Sequence, residues 1–186
     1  MQKPYLSQFL LVGGTGLSLQ IGHRISVDLD MFSTNDFDTT ELKGVLQSDF
    51  SSFQTVFERS NSLITQIEGV KVDFIRFKYG FNYASIEEKR IRLANIGDIA
   101  PMKLDALSAR GRKKDFYDLY FLMKRMPLPE ILNLYQSKYQ HTTIFHVIKS
   151  INYFVDAEAD ADPIVFQKNL TWQKVKDVIV KEIRKL

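Results

Sequence analysis

Residues 9–32 read FLLVGGTGLSLQIGHRISVDLDMF, and this stretch decides the fold. Phe9 to Val12 is a short apolar run of the kind that forms a buried strand. Gly13, Gly14 and Thr15 follow as a tight turn that can open onto a helix. A second strand, expected over Ser26 to Phe32, carries Asp28, Leu29 and Asp30. Side chains alternate along a strand, so Asp28 and Asp30 project from one face. Two adjacent carboxylates repel each other, and a divalent cation relieves the repulsion. Hard oxygen ligands suit Mg²⁺ or Mn²⁺. The glycines let the backbone approach a ligand closely, and a helix N-terminus attracts anions. A phosphate cradle beside paired carboxylates points to nucleotide chemistry. The alternative is a pair of solvated acids at a strand end.

Other residues are read from this stretch outward. Arg24 is either a surface or salt-bridged arginine, or a holder of Asp28 or of a phosphate. Ser26 shares the Asp28 face and bonds either near a metal or phosphate or to a backbone group. Thr39-Thr40-Glu41 starts a helix, and strands are expected over 53–59, 63–68 and 70–77 with a hairpin turn at Glu68-Gly69. Asp73 lies in the last of these, between Val72 and Phe74. A mid-strand aspartate is unfavourable by propensity and costly if buried unpaired. It either serves a site or forms a salt bridge to Lys71 or Arg76. Residues 80–89 read as a loop, and Ile91 to Leu93 as one more short strand.

The rest of the chain is helical in pattern. A helix from Asp98 to Ala109 places Lys103 among Ile99, Ala100, Ala106 and Leu107. A lysine on such a face snorkels or has a buried partner. The basic run RGRKK, residues 110–114, separates it from the next helix, Asp115 to Arg125. Asp115 there complements the helix dipole. Asp118, beside Phe121 and Leu122, faces inward, and on this reading it lies within ion-pair distance of Lys103 or shares a cleft with it. Further helices are expected over 130–139 and 142–154, and Thr171 caps a last one. His141 and His146 read as surface groups rather than ligands, and Trp172 as a packing anchor.

Two motifs carry a resemblance. The GGT turn followed by Arg24, Ser26, Asp28, Leu29 and Asp30 resembles the DNA polymerase β-like nucleotidyltransferases. The run MKLDALSARGRKKDFYDLYFL, residues 102–122, resembles the second signature of the AbiEii/AbiGii toxin family within them. The resemblance implies an α/β (α+β) fold: a nucleotidyltransferase core with a mixed sheet, residues 1–95, and a C-terminal helical subdomain, residues 96–186, closing the cleft. It implies transfer of a nucleoside monophosphate from an NTP to an acceptor, with pyrophosphate released. Asp28, Asp30 and Asp73 would be the metal triad for Mg²⁺ or Mn²⁺. Gly13, Gly14 and Thr15, with Arg24 and Ser26, would bind the nucleotide. Lys103 and Asp118 would join the active site, Lys103 holding a phosphate or the leaving pyrophosphate, although a clamp between two helices would need the same pair. A tRNA or a protein hydroxyl would be the acceptor, and a cognate antitoxin the partner. The family usually carries a helix before its first strand and continues further at its end, so the start is expected to be truncated, misassigned or minimal, and a substrate-binding portion to be reduced.

Composition bounds these readings. The chain has 186 residues, 45% hydrophobic and 25% charged, which suits one domain or two small ones. A net charge of +3 permits an RNA or nucleotide partner without requiring one. The absence of cysteine removes disulfides, thiolate zinc sites and cysteine nucleophiles. Neither a signal-peptide core nor a run long enough to span a membrane is visible, so a cytoplasmic location is expected. Two other readings stay open: a degenerate module that only binds a nucleotide or partner, and a phosphotransferase that moves the γ-phosphate.

Overall fold

The computed structural model describes residues 1–140 and 142–186; the reading of His141 lies outside them. The chain forms two compact units, one of residues 1–19 and 26–95, the other of residues 20–25 and 96–186. The return of residues 20–25 to the helical unit was not visible in the sequence.

The first unit is built on a mixed sheet. Its strands are β1 (Leu10–Val12), β2 (Leu29–Ser33), β3 (Phe53–Arg59), β4 (Ser62–Ile67), β5 (Val70–Arg76), β6 (Ile86–Glu88) and β7 (Ile91–Leu93). Their order is β3-β4-β5-β2-β1-β7-β6. β1 runs antiparallel to β2 and parallel to β7, and β2 runs parallel to β5. Helix α1 (Gly13–Ile21) follows β1 directly, and α2 (Thr39–Asp49) follows β2. The Asp38 carboxylate caps α2 by accepting from the amides of Thr40 and Glu41. Alternation sorts the sheet: Leu11, Met31, Leu63, Val72, Phe74 and Leu93 join one buried cluster with Phe9, Leu42 and Leu46.

The two-residue hairpin between β4 and β5 uses positive φ at Glu68 (48°) and Gly69 (78°), the turn whose twist matches the strands. Residues 80–89 correct the sequence reading, because β6 lies within them. It pairs with β7 through a turn at Lys89 and Arg90, both at positive φ. That turn has neither glycine nor asparagine, and β6 is exposed throughout, so neither composition nor alternation marked it. The second strand also begins later than expected, at Leu29. Residues 23–25 are paired instead with residues 164–166.

The second unit is a helical assembly: α3 (Ile96–Arg110), α4 (Lys113–Leu122), α5 (Leu128–Lys138), α6 (Ile144–Ile151) and α7 (Trp172–Ile183). α3 contacts α4, α5 and α6, and α4 contacts α7. Thr171 caps α7 by accepting from the Lys174 amide. Trp172 stacks on Tyr117 at 5.9 Å and meets Phe116 and Phe154 edge-on, as a packing anchor does. No helix among the described residues is long and apolar enough to cross a membrane.

Candidate functional site

In the first unit, three neighbouring strands bring the predicted residues together. Register places Val12 opposite Asp30 across β1 and β2, and Asp30 opposite Asp73 across β2 and β5. Register partners share a face of the sheet, so the two carboxylates lie side by side. The residue after Val12 is Gly13, at φ +64°. A Cβ there would stand 1.8 Å from Asp30 Oδ2. Two constraints thus require glycine at this one position: a left-handed backbone and a carboxylate against its Cα.

Asp73 is buried. Lys71, two residues earlier on the same face, donates to its Oδ2. Its Oδ1 has no hydrogen-bond partner. A buried carboxylate oxygen left so costs free energy unless a ligand or cation completes it. The donor set, carboxylate oxygens alone, fits Mg²⁺ or Mn²⁺. Among the described residues, no group of three or more acidic or imidazole side chains is drawn closely enough to hold an ion. The register therefore pairs Asp30 with Asp73, and Asp28 stands two residues before Asp30, just ahead of β2.

Asp28 precedes β2 and is held by its backbone. The Thr15 hydroxyl, on the first turn of α1, donates to the Asp28 carbonyl at 2.5 Å, and the Ser26 hydroxyl lies 3.0 Å from Thr15 Oγ1. Thr15 and Ser26 thus tie α1 to the approach of β2. Gly13, Gly14 and Thr15 form the first turn of α1, where amides lack intrahelical acceptors.

The other predicted residues lie in the second unit, around Asp118. The Arg24 guanidinium grips both its oxygens, Nε to Oδ1 at 2.6 Å and Nη2 to Oδ2 at 2.9 Å. His23 Nε2 stands 2.7 Å from Oδ1, and Lys103 Nζ 2.6 Å from Oδ2. Lys103 also donates to Asp115 Oδ1 at 3.1 Å, and Arg110 Nε reaches Asp115 Oδ2 at 2.9 Å. His23, Arg24, Lys103, Asp115 and Asp118 are all buried.

Burial alone would push the Asp118 carboxyl up. Lys103, His23 and Arg24 outweigh it and hold Asp118 far below the usual carboxylate range. Burial opposes the Lys103 charge too, and Asp118 and Asp115 outweigh that, leaving the ammonium above its ordinary value. For Asp115, burial is again outweighed, here by Lys103 and Arg110, and its carboxyl is lowered. A second buried pair, Lys138 Nζ to Asp98 Oδ1 at 2.8 Å, joins α5 to α3.

From helix faces alone, the sequence reading expects Lys103 and Asp118 within ion-pair distance or in a shared cleft, and they form an ion pair. It did not identify His23, or the Asp115 bond to Lys103. The three-residue step from Asp115 to Asp118 puts both on one helix face, which was the available signal. His23 had none, since its partner lies 95 positions away.

Comparison with known proteins agrees across the chain. A family model described as nucleotidyl transferase AbiEii toxin, type IV toxin–antitoxin system, matches residues 1–93 and 81–184. An uncharacterised protein of Aquifex aeolicus is 31% identical over 188 residues, covering 96% of this chain and 87% of that protein. MenT4, a nucleotidyltransferase toxin of Mycobacterium tuberculosis, aligns with a TM-score of 0.61 at 15% identity, over 96% of this chain and 76% of its own. A Helicobacter pylori crystal structure aligns at 0.56 and 17% identity, over 96% and 88%. At such identities the two structures speak for the nucleotidyltransferase fold alone.

Proposed function

The chain belongs to the AbiEii nucleotidyl transferase toxin family, and on that premise we propose that it moves a nucleoside monophosphate from an NTP to an acceptor hydroxyl, releasing pyrophosphate. One observation carries this reading: Asp30 and Asp73 face each other across β2 and β5, Asp30 packed on Gly13 and Asp73 with a buried oxygen lacking a partner. Asp28, Asp30 and Asp73 would hold Mg²⁺ or Mn²⁺. Such an ion neutralises charge developing on attacking and leaving oxygens.

The chain's own groups do the rest. Amides of Gly13, Gly14 and Thr15 at the start of α1 receive the β- and γ-phosphates. Thr15 contributes its amide, since its hydroxyl is committed to Asp28, and Ser26 steadies that bond. Arg24 acts through Asp118, which it orients. Lys103 and Asp118 serve as a charge-balanced frame that fixes α3 against α4. The acceptor is a tRNA or protein hydroxyl, the setting is the cytoplasm, and a cognate antitoxin restrains the activity.

The test is to incubate the protein and Mg²⁺ with total RNA and protein, using NTPs labelled on the α- or the γ-phosphate. Nucleotidyl transfer predicts α-label on the acceptor and free pyrophosphate. Transfer of γ-label alone would replace this reading with phosphotransfer. No labelling of either kind, with the nucleotide still bound, would leave a binding module.

A further inference from the structure

The helical unit contains a cavity of about 340 Å³ to which His23, Phe121, Lys124, Arg125, Phe166 and Gln167 contribute. Its size lies at the lower end of the ~300–1,000 Å³ range of small-molecule sites. It is built where residues 23–25 pair with residues 164–166: the Ile25 amide donates to the Ile164 carbonyl and the Phe166 amide to the His23 carbonyl, both at 2.9 Å.

Three features of the lining define a ligand. The first is the His23 ring, with only 1% of its side chain exposed. Its Nε2 meets Asp118 Oδ1 at 2.7 Å, and an ionised carboxylate only accepts, so Nε2 carries the hydrogen of that bond. Nδ1, the nitrogen that accepts in this tautomer of a neutral imidazole, has no partner. The second feature is positive charge. Lys124 Nζ is steadied by Gln167 Oε1 at 2.5 Å and by the rings of Tyr120 and Phe121 at 4.6 and 5.0 Å, and Arg125 adds an exposed guanidinium. The third is aromatic surface. Phe121 lies 5.1 Å from the His23 ring, and Phe166 is 61% exposed, an unusual state for phenylalanine.

A ligand that fits all three is planar, anionic and able to donate a hydrogen bond. We infer that this cavity binds one nucleoside monophosphate unit, its base stacked on Phe166 with an N–H directed to His23 Nδ1 and its phosphate met by Lys124 and Arg125. The unit is either a free mononucleotide or the terminal residue of a single-stranded RNA. The proposal goes beyond the transfer reading, because it concerns residues of the helical unit alone and needs no divalent ion.

The experiment is equilibrium binding of AMP and of a single-stranded hexaadenylate to the full chain in metal-free buffer, with Phe166→Ser, Arg125→Ser and Asp30→Asn. Phe166 and Arg125 are exposed, so their variants should melt like the parent. Saturable binding is expected, weakened about tenfold or more by Phe166→Ser, on the scale of one lost stacking contact. Arg125→Ser should also weaken it and flatten its salt dependence. Asp30→Asn should leave it unchanged, which separates this site from the sheet site whatever the fate of the transfer reading. Loss on both probes assigns a free nucleotide, and loss on hexaadenylate alone assigns a strand end. Absence of binding at millimolar probe, Phe166→Ser binding like the parent, or loss through Asp30→Asn would each overturn the proposal.

Discussion

Two sets of aspartates in this molecule are opposites. Asp118 takes bonds from His23, Arg24 and Lys103, with both oxygens occupied and no exposed surface. Asp73 has one lysine on one oxygen and nothing on the other. The same side chain is thus a completed structural joint in one unit and an incomplete donor in the other. The contrast teaches that burial and ion pairing alone do not mark a reactive carboxylate. A buried oxygen without a partner, beside a second carboxylate, is the more telling sign.

The contrast can be broken by substitution, and stability should carry the largest effect. Asp118→Asn or Lys103→Met leaves its partner buried and uncompensated, at a cost of about 3–5 kcal/mol. Thermal melting should show a marked fall for each. Asp73→Asn and Asp30→Asn should melt near the parent and lose about 100-fold or more in transfer, the scale of one lost charge-stabilising group. The opposite assignment of losses would invert the account.

Gly13→Ala should join both failures. The left-handed backbone and the collision with Asp30 together cost about 2–5 kcal/mol, and Asp30 must move. A folded, active Gly13→Ala protein would show that Asp30 does not need its observed position.

Acid titration sharpens the comparison further. Asp118 and Asp115 have folded-state values below their ordinary 3.8. Their contribution is fully present above that value and is lost as pH falls through the depressed folded-state values. Lys103, raised above 10.5, contributes fully below that value and loses its share as pH rises through the higher folded value. The parent should therefore lose stability progressively below about pH 4, and Asp118→Asn should show a shallower acid slope in melting curves.

The smallest effect belongs to Lys71→Met. Lys71 is 44% exposed, and such pairs are worth at most about 1 kcal/mol. Melting should barely change, while Mn²⁺ binding should hold or tighten because a competing cation is gone.

Much of this was legible in the sequence. The glycine turn at Gly13 and the alternation of Asp28 and Asp30 singled out acids beside a close backbone, and the Val72–Asp73–Phe74 pattern marked an acid that a strand would not otherwise tolerate. The helix faces brought Lys103 and Asp118 to ion-pair distance or a shared cleft, and the ion pair is what forms. What escaped depends on long-range pairing. His23 and Arg24 precede the strand expected over Ser26 to Phe32, and their backbone is taken by residues 164–166, a pairing without local signature. β6 escaped because an exposed strand has no apolar face to count.

Mn²⁺ binding followed by electron paramagnetic resonance, with a non-hydrolysable NTP present, tests the central claim most directly. The account predicts that the parent binds Mn²⁺ saturably and that Asp30→Asn and Asp73→Asn each weaken binding at least as much as the 10–100-fold that loss of an outer-shell partner costs, with Asp118→Asn examined at a temperature where it stays folded and binding like the parent. Equal Mn²⁺ binding by the parent, Asp30→Asn and Asp73→Asn would contradict it.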